Sequence, residues 1–192
     1  PFVTHRIIED NIEAAKRYGA CDTVIPATDT IVTIYGDFRV FALENQNGIK
    51  DIEIESVDLE RLNLRELGLT QIDLAKCQNL KYLNLKNNKI VKLDITNQIN
   101  LTDLEIDGNG IADIKLPPSN RSQLVTIWMA GNRFNSASWD MFFCALPSRS
   151  ASNNATIYAY NTNEDVAAIR SCCFTLGTNK NWTYKYSNGN NI

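Results

Sequence analysis

Apolar residues recur with a fixed spacing through the middle of the chain. The order apolar, two free positions, apolar, one free, apolar, two free, Asn, one free, apolar is shared by three segments, 80–90, 101–111 and 124–134. Their central apolar residues, Leu83, Leu104 and Ile127, lie 21 and 23 residues apart. Because alternate side chains of a strand point to opposite faces, the apolar, free, apolar triplet predicts one short strand in each segment.

The pattern continues toward the N-terminus and has a second component. Steps of 21 residues back from Leu83 reach Leu62 and Phe41, which makes five units. A second apolar, free, apolar triplet recurs between the units, at 52–54, 72–74, 93–95 and 114–116. We expect the first series to supply one strand per unit and the second a shorter extended segment on another side. A unit of this size cannot bury its apolar edge alone, so neighbouring units must stack.

An asparagine follows the strand in the three most regular units, at Asn88, Asn109 and Asn132. The chain must turn sharply there, which leaves peptide groups inside the turn in need of partners. The asparagine side chain carries both an acceptor and donors, so we predict a stacked ladder of structural asparagines. Leu67 takes this place in the second unit, and Asn47 comes one residue late in the first. We therefore expect the early units to be less regular.

These features resemble leucine-rich repeats, whose period is roughly 20–29 residues. The resemblance implies an α/β fold, a leucine-rich-repeat solenoid of short parallel-strand coils with about five repeats over residues 36–135. Solenoids of this kind present an extended concave surface that is used for binding. The insertion at 117–120 makes the last unit two residues longer and predicts a loop away from the strands.

The period is lost after Phe134, and residues 136–192 are predicted to form a mixed α/β C-terminal cap. The pattern predicts a helix, a strand, a helix and a strand, over 138–146, 155–160, 163–172 and 182–186. The order helix, Ala-Leu-Pro-x-Arg, strand, helix, Asn-Trp-x-Tyr resembles the C-terminal cap of secreted leucine-rich-repeat proteins of Bacteroides-like gut bacteria, distantly akin to internalins. The resemblance implies a bacterial, cell-surface or secreted protein that acts through protein-protein interaction.

Residues 1–35 are expected to form a helix and strand cap at the other end of the solenoid. The spacing of apolar positions predicts a helix over 4–19, which Gly19 ends, and short strands at 23–25 and 31–34. The open end of a solenoid must be covered, and these elements are suited to that role.

Residues 1–32 also resemble an internal segment of the bacterial sugar-phosphate cytidylyltransferases, the ribitol-phosphate type especially. In that family the pair that matches Asp29 and Thr30 lies beside the sugar-phosphate pocket. The family's glycine-rich nucleotide loop and metal-binding Asp are missing here, and phosphoryl transfer needs positioned cations and a metal. We interpret the segment as a recombined or fused piece reused as a cap, with chance similarity and artificial fusion as alternatives. Retained weak nucleotide or sugar-phosphate binding is the alternative function.

Composition narrows the functional classes. The 192 residues carry 19 Lys+Arg and 22 Asp+Glu, a net charge of −3. This balance argues against a nucleic-acid partner, which requires a clustered basic surface. No apolar run approaches the roughly 18 residues of a membrane-spanning helix. We expect an extracellular or cell-surface monomer, although no signal peptide is visible in this chain.

Neither the cysteines nor the histidine indicates a reaction centre. The five cysteines lack the spacing of metal ligands: Cys21, Cys77, Cys144, Cys172 and Cys173. Cys144 can bridge to Cys172 or Cys173, and free thiols are the other interpretation. His5 is the only histidine and has no nucleophile motif near it in the sequence. We expect neither catalysis nor a cofactor.

The free positions of the strands form the candidate binding surface. If the apolar residues point inward, the residues between them line one outer face. Aromatic and arginine side chains, which carry much of the energy of interfaces, occur there among acidic and basic ones. The predicted partner-binding residues are Arg61, Arg65, Tyr82, Lys86, Asp103, Glu105, Asp107 and Trp128. The three carboxylates raise the question of Ca²⁺, but the turning loop that wraps the cation is missing, so we predict no metal.

The sequence thus predicts a non-catalytic recognition module that binds a protein or glycan partner through its concave strand face. A purely structural spacer is a further interpretation, for which the charges of that face would be irrelevant.

Overall fold

A computed structural model describes residues 30–35, 39–44, 49–150, 152, 155–160 and 180–188. They form eleven strands and one helix, namely β1 (Thr30–Tyr35), β2 (Val40–Ala42), β3 (Ile49–Glu55), β4 (Arg61–Asn63), β5 (Tyr82–Asn84), β6 (Lys92–Asp94), β7 (Asp103–Glu105), β8 (Asp113–Lys115), β9 (Thr126–Trp128), α1 (Ser136–Ala145), β10 (Ala155–Tyr160) and β11 (Trp182–Tyr186). Four predicted features lie outside the described residues: the helices at 4–19 and 163–172, the strand at 23–25 and the cytidylyltransferase-like stretch through Asp29.

Seven strands form one parallel sheet in the order β2, β4, β5, β7, β9, β10, β11. Its register follows the sequence period, because Leu62 pairs with Leu83, Leu83 with Leu104, and Leu104 with Ile127. Ile157 of β10 continues this row beside Ile127. The prediction of short parallel strands is confirmed, and the described architecture is α/β with mostly parallel strands and one helix. This arrangement is compatible with a solenoid.

The second triplet series forms separate strand pairs. β6 pairs with β8, which places Leu93 beside Ile114, and a single parallel bridge joins Glu53 to Asp73. β3 pairs with β1 and runs over seven residues, longer than the expected triplet. The predicted extended segments on another side of the units are therefore present.

Apolar side chains of both series share one buried cluster. Leu62, Leu83 and Leu104, in the middle of their strands, are fully buried, whereas Arg61 at the start of β4 is exposed. Burying one such leucine stabilises the fold by roughly 1.5–3 kcal/mol. A slip of one residue in register would turn this whole row to solvent, so the hydrophobic pattern fixes the pairing.

The predicted asparagine ladder is present behind the sheet. The buried Asn109 accepts a hydrogen bond from the Ile90 N–H at 3.1 Å through Oδ1. Its Nδ2 donates to the carbonyls of Leu85 and Ile106 at 2.9 and 3.1 Å. The other two asparagines of the row make equivalent bonds in their own units. Each side chain therefore ties its own unit to the preceding one.

The turns after β4, β5, β7 and β9 pass through left-handed backbone. Glu66, Asn87, Gly108 and Gly131 have φ angles of 61°, 55°, 64° and 70°. A Cβ at Gly108 would lie 2.3 Å from Asn87 Oδ1. Glycine avoids both this contact and the strain of positive φ, so it suits the tightest of these turns.

Helix α1 follows the last regular unit. Its cap Asn135 accepts a hydrogen bond from the Ser138 N–H at 3.0 Å, and the helix begins two residues before the predicted start. Its buried Trp139 packs against Phe134, with 4.9 Å between ring centroids. In the part of the chain that the structure describes, no helix has the length and apolar character required to cross a bilayer.

The segments Ala-Leu-Pro-x-Arg at 145–149 and Asn-Trp-x-Tyr at 181–184 are joined by hydrogen bonds. Trp182 Nε1 donates to the Pro147 carbonyl at 2.8 Å, and the Asn181 side chain donates to the Arg149 carbonyl at 2.6 Å. The Arg149 guanidinium in turn donates to the Ser122 carbonyl at 3.0 Å, and burial lowers the pKa of this group. The predicted strands at 155–160 and 182–186 are present as β10 and β11. These bonds explain why the two motifs occur together.

Lys180 satisfies the C-terminal end of α1. Its Nζ donates to the carbonyls of Phe143, Cys144 and Leu146 at 3.0, 2.7 and 2.8 Å. The last carbonyls of a helix lack partners within it, and a cation complements the negative end of the helix dipole. A residue distant in sequence thus supplies the donors for carbonyls at the end of the helix.

Two of the five cysteines lie in the described residues, and both are free thiols. Cys77 is buried, and burial raises the pKa of its thiol to about 11. Cys144 is exposed and forms no disulfide within the described residues, and its candidate partners Cys172 and Cys173 lie outside them.

Candidate functional site

The outer side of the seven-stranded sheet carries most of the predicted binding residues. Side chains at the first and third positions of each strand point away from the core, because the middle residue is buried. We call this surface the sheet face and define it by the outward residues Arg61, Asn63, Arg65, Tyr82, Asn84, Lys86, Asp103, Glu105, Thr126, Trp128, Thr156, Tyr158, Thr183 and Lys185.

Tyr82 is held in place on the sheet face by three neighbours. The Arg61 guanidinium carbon lies 4.2 Å from the centroid of its ring, a cation–π contact. The Tyr82 hydroxyl donates to Glu105 Oε1 at 2.9 Å and accepts from Asn84 Nδ2 at 3.3 Å. Burial is the main cause that raises the pKa of the Tyr82 hydroxyl. Three predicted binding residues, on three consecutive strands, are thus in contact.

Trp128 stacks on Tyr158, which belongs to β10. The two rings lie 3.6 Å apart between centroids with an angle of 5° between their planes. Lys185 Nζ lies 6.0 Å from the centroid of the Tyr158 ring. The sheet face therefore continues past the repeats into β10 and β11, with an aromatic pair followed by a cation.

Arg65 and Lys86 lie just beyond the ends of β4 and β5. Arg65 Nε is in ion-pair contact with Glu44 Oε2, although the Nε–H is not aligned for a hydrogen bond. Asn63 Nδ2 donates to Glu44 Oε1 at 3.1 Å. The charge of Arg65 is therefore partly neutralised inside the molecule, while the half-buried Lys86 makes no such ion pair within the described residues.

Asp107 differs from the expectation that it lines the outer face. Only 8% of its surface is exposed, and its Oδ1 accepts from the Ala130 N–H at 3.0 Å. Burial raises the pKa of this carboxyl, and the charge of Lys86 acts in the opposite direction. Arg65 and Lys86 hold the equivalent positions after β4 and β5 and are half-buried, so the hydrogen bond from the Ala130 N–H accounts for the burial of Asp107 better than the turn does.

Charged groups with and without ion pairs occur both on the sheet face and elsewhere in the described residues. Lys81 pairs with Glu60 at 3.0 Å beside the sheet, and Lys115 pairs with Asp94 at 3.0 Å across β6 and β8. Within the described residues, five charged side chains of the sheet face form no ion pair: Arg61, Lys86, Asp103, Glu105 and Lys185. These charges lie on neighbouring strands and keep their ionic capacity for a partner.

The described residues contain no group of three or more His, Cys, Asp or Glu side chains able to hold a metal ion. Asp107, one of the three carboxylates considered for Ca²⁺, is occupied by a backbone amide. His5 lies outside the described residues. The sheet face carries charged side chains, aromatic rings and hydroxyl groups in register on neighbouring strands.

Two residues of the face, Tyr158 and Lys185, were not predicted from the sequence. The regular period ends at Phe134, so nothing in it places β10 and β11 in the same sheet. A local signal does exist, because Thr-Ile-Tyr at 156–158 repeats Thr-Ile-Trp at 126–128. These triplets pair in register, with Thr156 beside Thr126 and Tyr158 beside Trp128.

No protein-family model matches the chain. The case for its function therefore rests on the residues and contacts described above.

Proposed function

We propose that the chain is a non-catalytic recognition module built as a capped leucine-rich-repeat solenoid, and that it binds a protein or glycan partner through the sheet face. The in-register parallel strands support the repeat architecture, as do the buried asparagines that join one unit to the next. Repeat proteins present such strand surfaces to their partners. The proposal includes an extracellular or cell-surface location and a monomeric state.

One observation carries the proposal. Aromatic and charged side chains are in contact across neighbouring strands of the sheet face: Arg61 lies over the Tyr82 ring, Tyr82 donates to Glu105, and Trp128 stacks on Tyr158. Exposed arginine and aromatic groups next to such charges are the types that contribute most to interfaces. A structural spacer has no need of this arrangement.

A pull-down from host mucosal and bacterial surface extracts tests this function. The test variant carries Arg61→Glu and Trp128→Ala, and the matched control carries Arg121→Glu and Met141→Ala at exposed positions away from the sheet face. Circular dichroism first establishes that both variants fold. A partner retained by wild type and control but lost by the test variant is the expected result. Identical recovery by all three proteins would refute a role of the sheet face.

The alternative function, sugar-phosphate or nucleotide binding by the N-terminal segment, remains a hypothesis. Its matching residue Asp29 lies outside the described residues, and Thr30 is described only as the start of β1. Isothermal titration with CTP and ribitol phosphate distinguishes the two functions. Binding that disappears in Thr30→Ala would favour the alternative.

A further inference from the structure

The unpaired charges of the sheet face follow a fixed order across the strands. Cations come first, with Arg61 on β4 and Lys86 after β5. Two carboxylates follow on β7, Asp103 and Glu105. The stacked aromatic pair occupies β9 and β10, and Lys185 on β11 ends the series. Neighbouring strands lie about 4.8 Å apart, so the order is also a set of distances.

We propose that the partner is a protein segment whose side chains present acid, base, apolar and acid in this order along the direction that crosses the strands. The inference rests on the proposed recognition function of the sheet face and specifies the chemistry of the occupant. Charge complementarity of this kind steers encounter and selects among partners, since like charges brought together are strongly unfavourable.

The state of the aromatic rings favours a protein over a glycan. A sugar ring binds an aromatic side chain by placing its C–H face against the flat face of the ring. The Arg61 guanidinium already covers one face of Tyr82, and Trp128 and Tyr158 cover one face of each other at 3.6 Å. Fewer ring faces are therefore open to a sugar than the number of aromatic residues suggests. The same surface carries cations and carboxylates without ion pairs in the described residues, and a polypeptide complements these with side chains of both charges.

The spacing of the charges converts into a sequence pattern. Arg61 and Asp103 are two strands apart, roughly 10 Å, which corresponds to about three residues of an extended peptide. Glu105 and Lys185 are three strands apart, roughly 14 Å, or about four residues. The complementary segment accordingly reads acid, two free, base, three free, acid, with an apolar residue between the base and the second acid. The reverse chain direction gives the mirror order.

The test uses a displayed library of random 12-residue peptides as the probe. One selection is made on the wild-type chain, one on the Arg61→Glu/Lys86→Glu variant, and one on the control Arg121→Glu/Lys92→Glu, which carries the same charge change at exposed positions off the sheet face. We expect wild type and control to enrich the acid, base, acid pattern. The variant should enrich peptides in which the first acid is replaced by Lys or Arg and the other positions are kept.

Synthetic versions of the enriched peptides give the quantitative arm. The reversal variant should bind the wild-type peptide at least tenfold more weakly by fluorescence anisotropy, and the charge-swapped peptide should restore most of this loss. Binding should also weaken as salt is raised, since exposed charges are screened. Enrichment without the charge pattern, or with a pattern indifferent to the reversal, would overturn the inference.

Other occupants of the same face are outcomes of parallel arms. Binding of a polysaccharide panel that is lost in Trp128→Ala, with no enriched peptide, would overturn the protein partner and leave sheet-face recognition intact. Self-association in sedimentation velocity that Arg61→Glu abolishes would replace the foreign segment by a second copy of the chain. If all variants bind every probe equally, the recognition function itself fails, which separates the two proposals.

Discussion

The buried asparagine row and the sheet face both place polar groups in register once per unit, yet they use them differently. In the asparagine row, Asn109 bonds to backbone groups of two units through both its oxygen and its nitrogen. On the sheet face, the Asp103 carboxylate accepts a hydrogen bond from the neighbouring Thr102 hydroxyl at 2.6 Å and has no other side-chain bond within the described residues. One period therefore generates one polar row that is committed to the fold and another that remains available.

The largest effect is expected from the committed row. Asn109→Ala leaves the buried Ile90 N–H without its acceptor and removes one donor from each of the Leu85 and Ile106 carbonyls, which keep Asn88 and Asn132 as partners. Because a buried unsatisfied group costs about 1–3 kcal/mol and each further lost hydrogen bond about 1 kcal/mol, we expect a loss of about 3 kcal/mol or more in the free energy of unfolding, measured in urea. The control Asn120→Ala, at an exposed turn, should change it by less than about 0.5 kcal/mol. Equal effects at both sites would contradict the contrast.

A smaller loss in the free energy of unfolding is expected from Arg149 and Lys180, two side chains outside the asparagine row that also donate to backbone carbonyls. Arg149→Met removes the donor to the Ser122 and Leu124 carbonyls, and Lys180→Met removes the donor to three carbonyls at the end of α1. We expect about 1–3 kcal/mol for Arg149 and about 1 kcal/mol for the more accessible Lys180. Thermal and urea unfolding measure both. A loss for Lys180 above that of Asn109→Ala would show that the cap, and not the row, dominates stability.

Asp107 lies at the border of the two rows and should respond to pH. Burial raises the pKa of its carboxyl, so the folded chain holds this proton more tightly than the unfolded chain does. The contribution of Asp107 to stability is therefore most favourable at pH below the ordinary aspartate pKa of about 3.9, and it declines as pH rises through the raised value.

Asp107→Asn tests this dependence, because the amide oxygen can still accept from the Ala130 N–H. The unfolding free energy of the variant relative to wild type should increase as pH rises from the ordinary aspartate range toward neutrality. Asp58→Asn, at an exposed position, controls for the loss of one negative charge. A difference that stays constant with pH, or falls as pH rises, would contradict burial as the main cause.

The periodic part of the fold could be predicted because each unit repeats the same physical requirements. Triplets such as Leu83-Asn84-Leu85 predict which side chains are buried. The asparagine that follows, such as Asn88, indicates where the turn needs donors and an acceptor. The second unit has Leu67 in place of the asparagine, yet its turn is bonded in the same way. The buried Leu67 donates its N–H to the Asn88 side chain of the next unit at 3.1 Å.

What the sequence did not predict depends on contacts that occur only once. Lys180 donates to carbonyls at the end of α1, a helix more than thirty residues before it in the chain. No spacing rule connects the two. Tyr158 and Lys185 join the sheet face through register that the period no longer describes. Asp107 was placed outward by the same alternation as Arg65 and Lys86, and its burial depends on a hydrogen bond from the Ala130 N–H that no spacing rule reveals.

The most direct test of the central claim is the unfolding free energy of one variant that neutralises four of the five unpaired charges of the sheet face, Arg61→Gln, Lys86→Gln, Asp103→Asn and Lys185→Gln together. These groups form no ion pairs in the described residues and are exposed or half-buried, so their substitution costs little. We expect the free energy of unfolding in urea to stay within about 1 kcal/mol of wild type. A loss as large as that of Asn109→Ala would show that the face charges hold the fold together, and would contradict their availability for a partner.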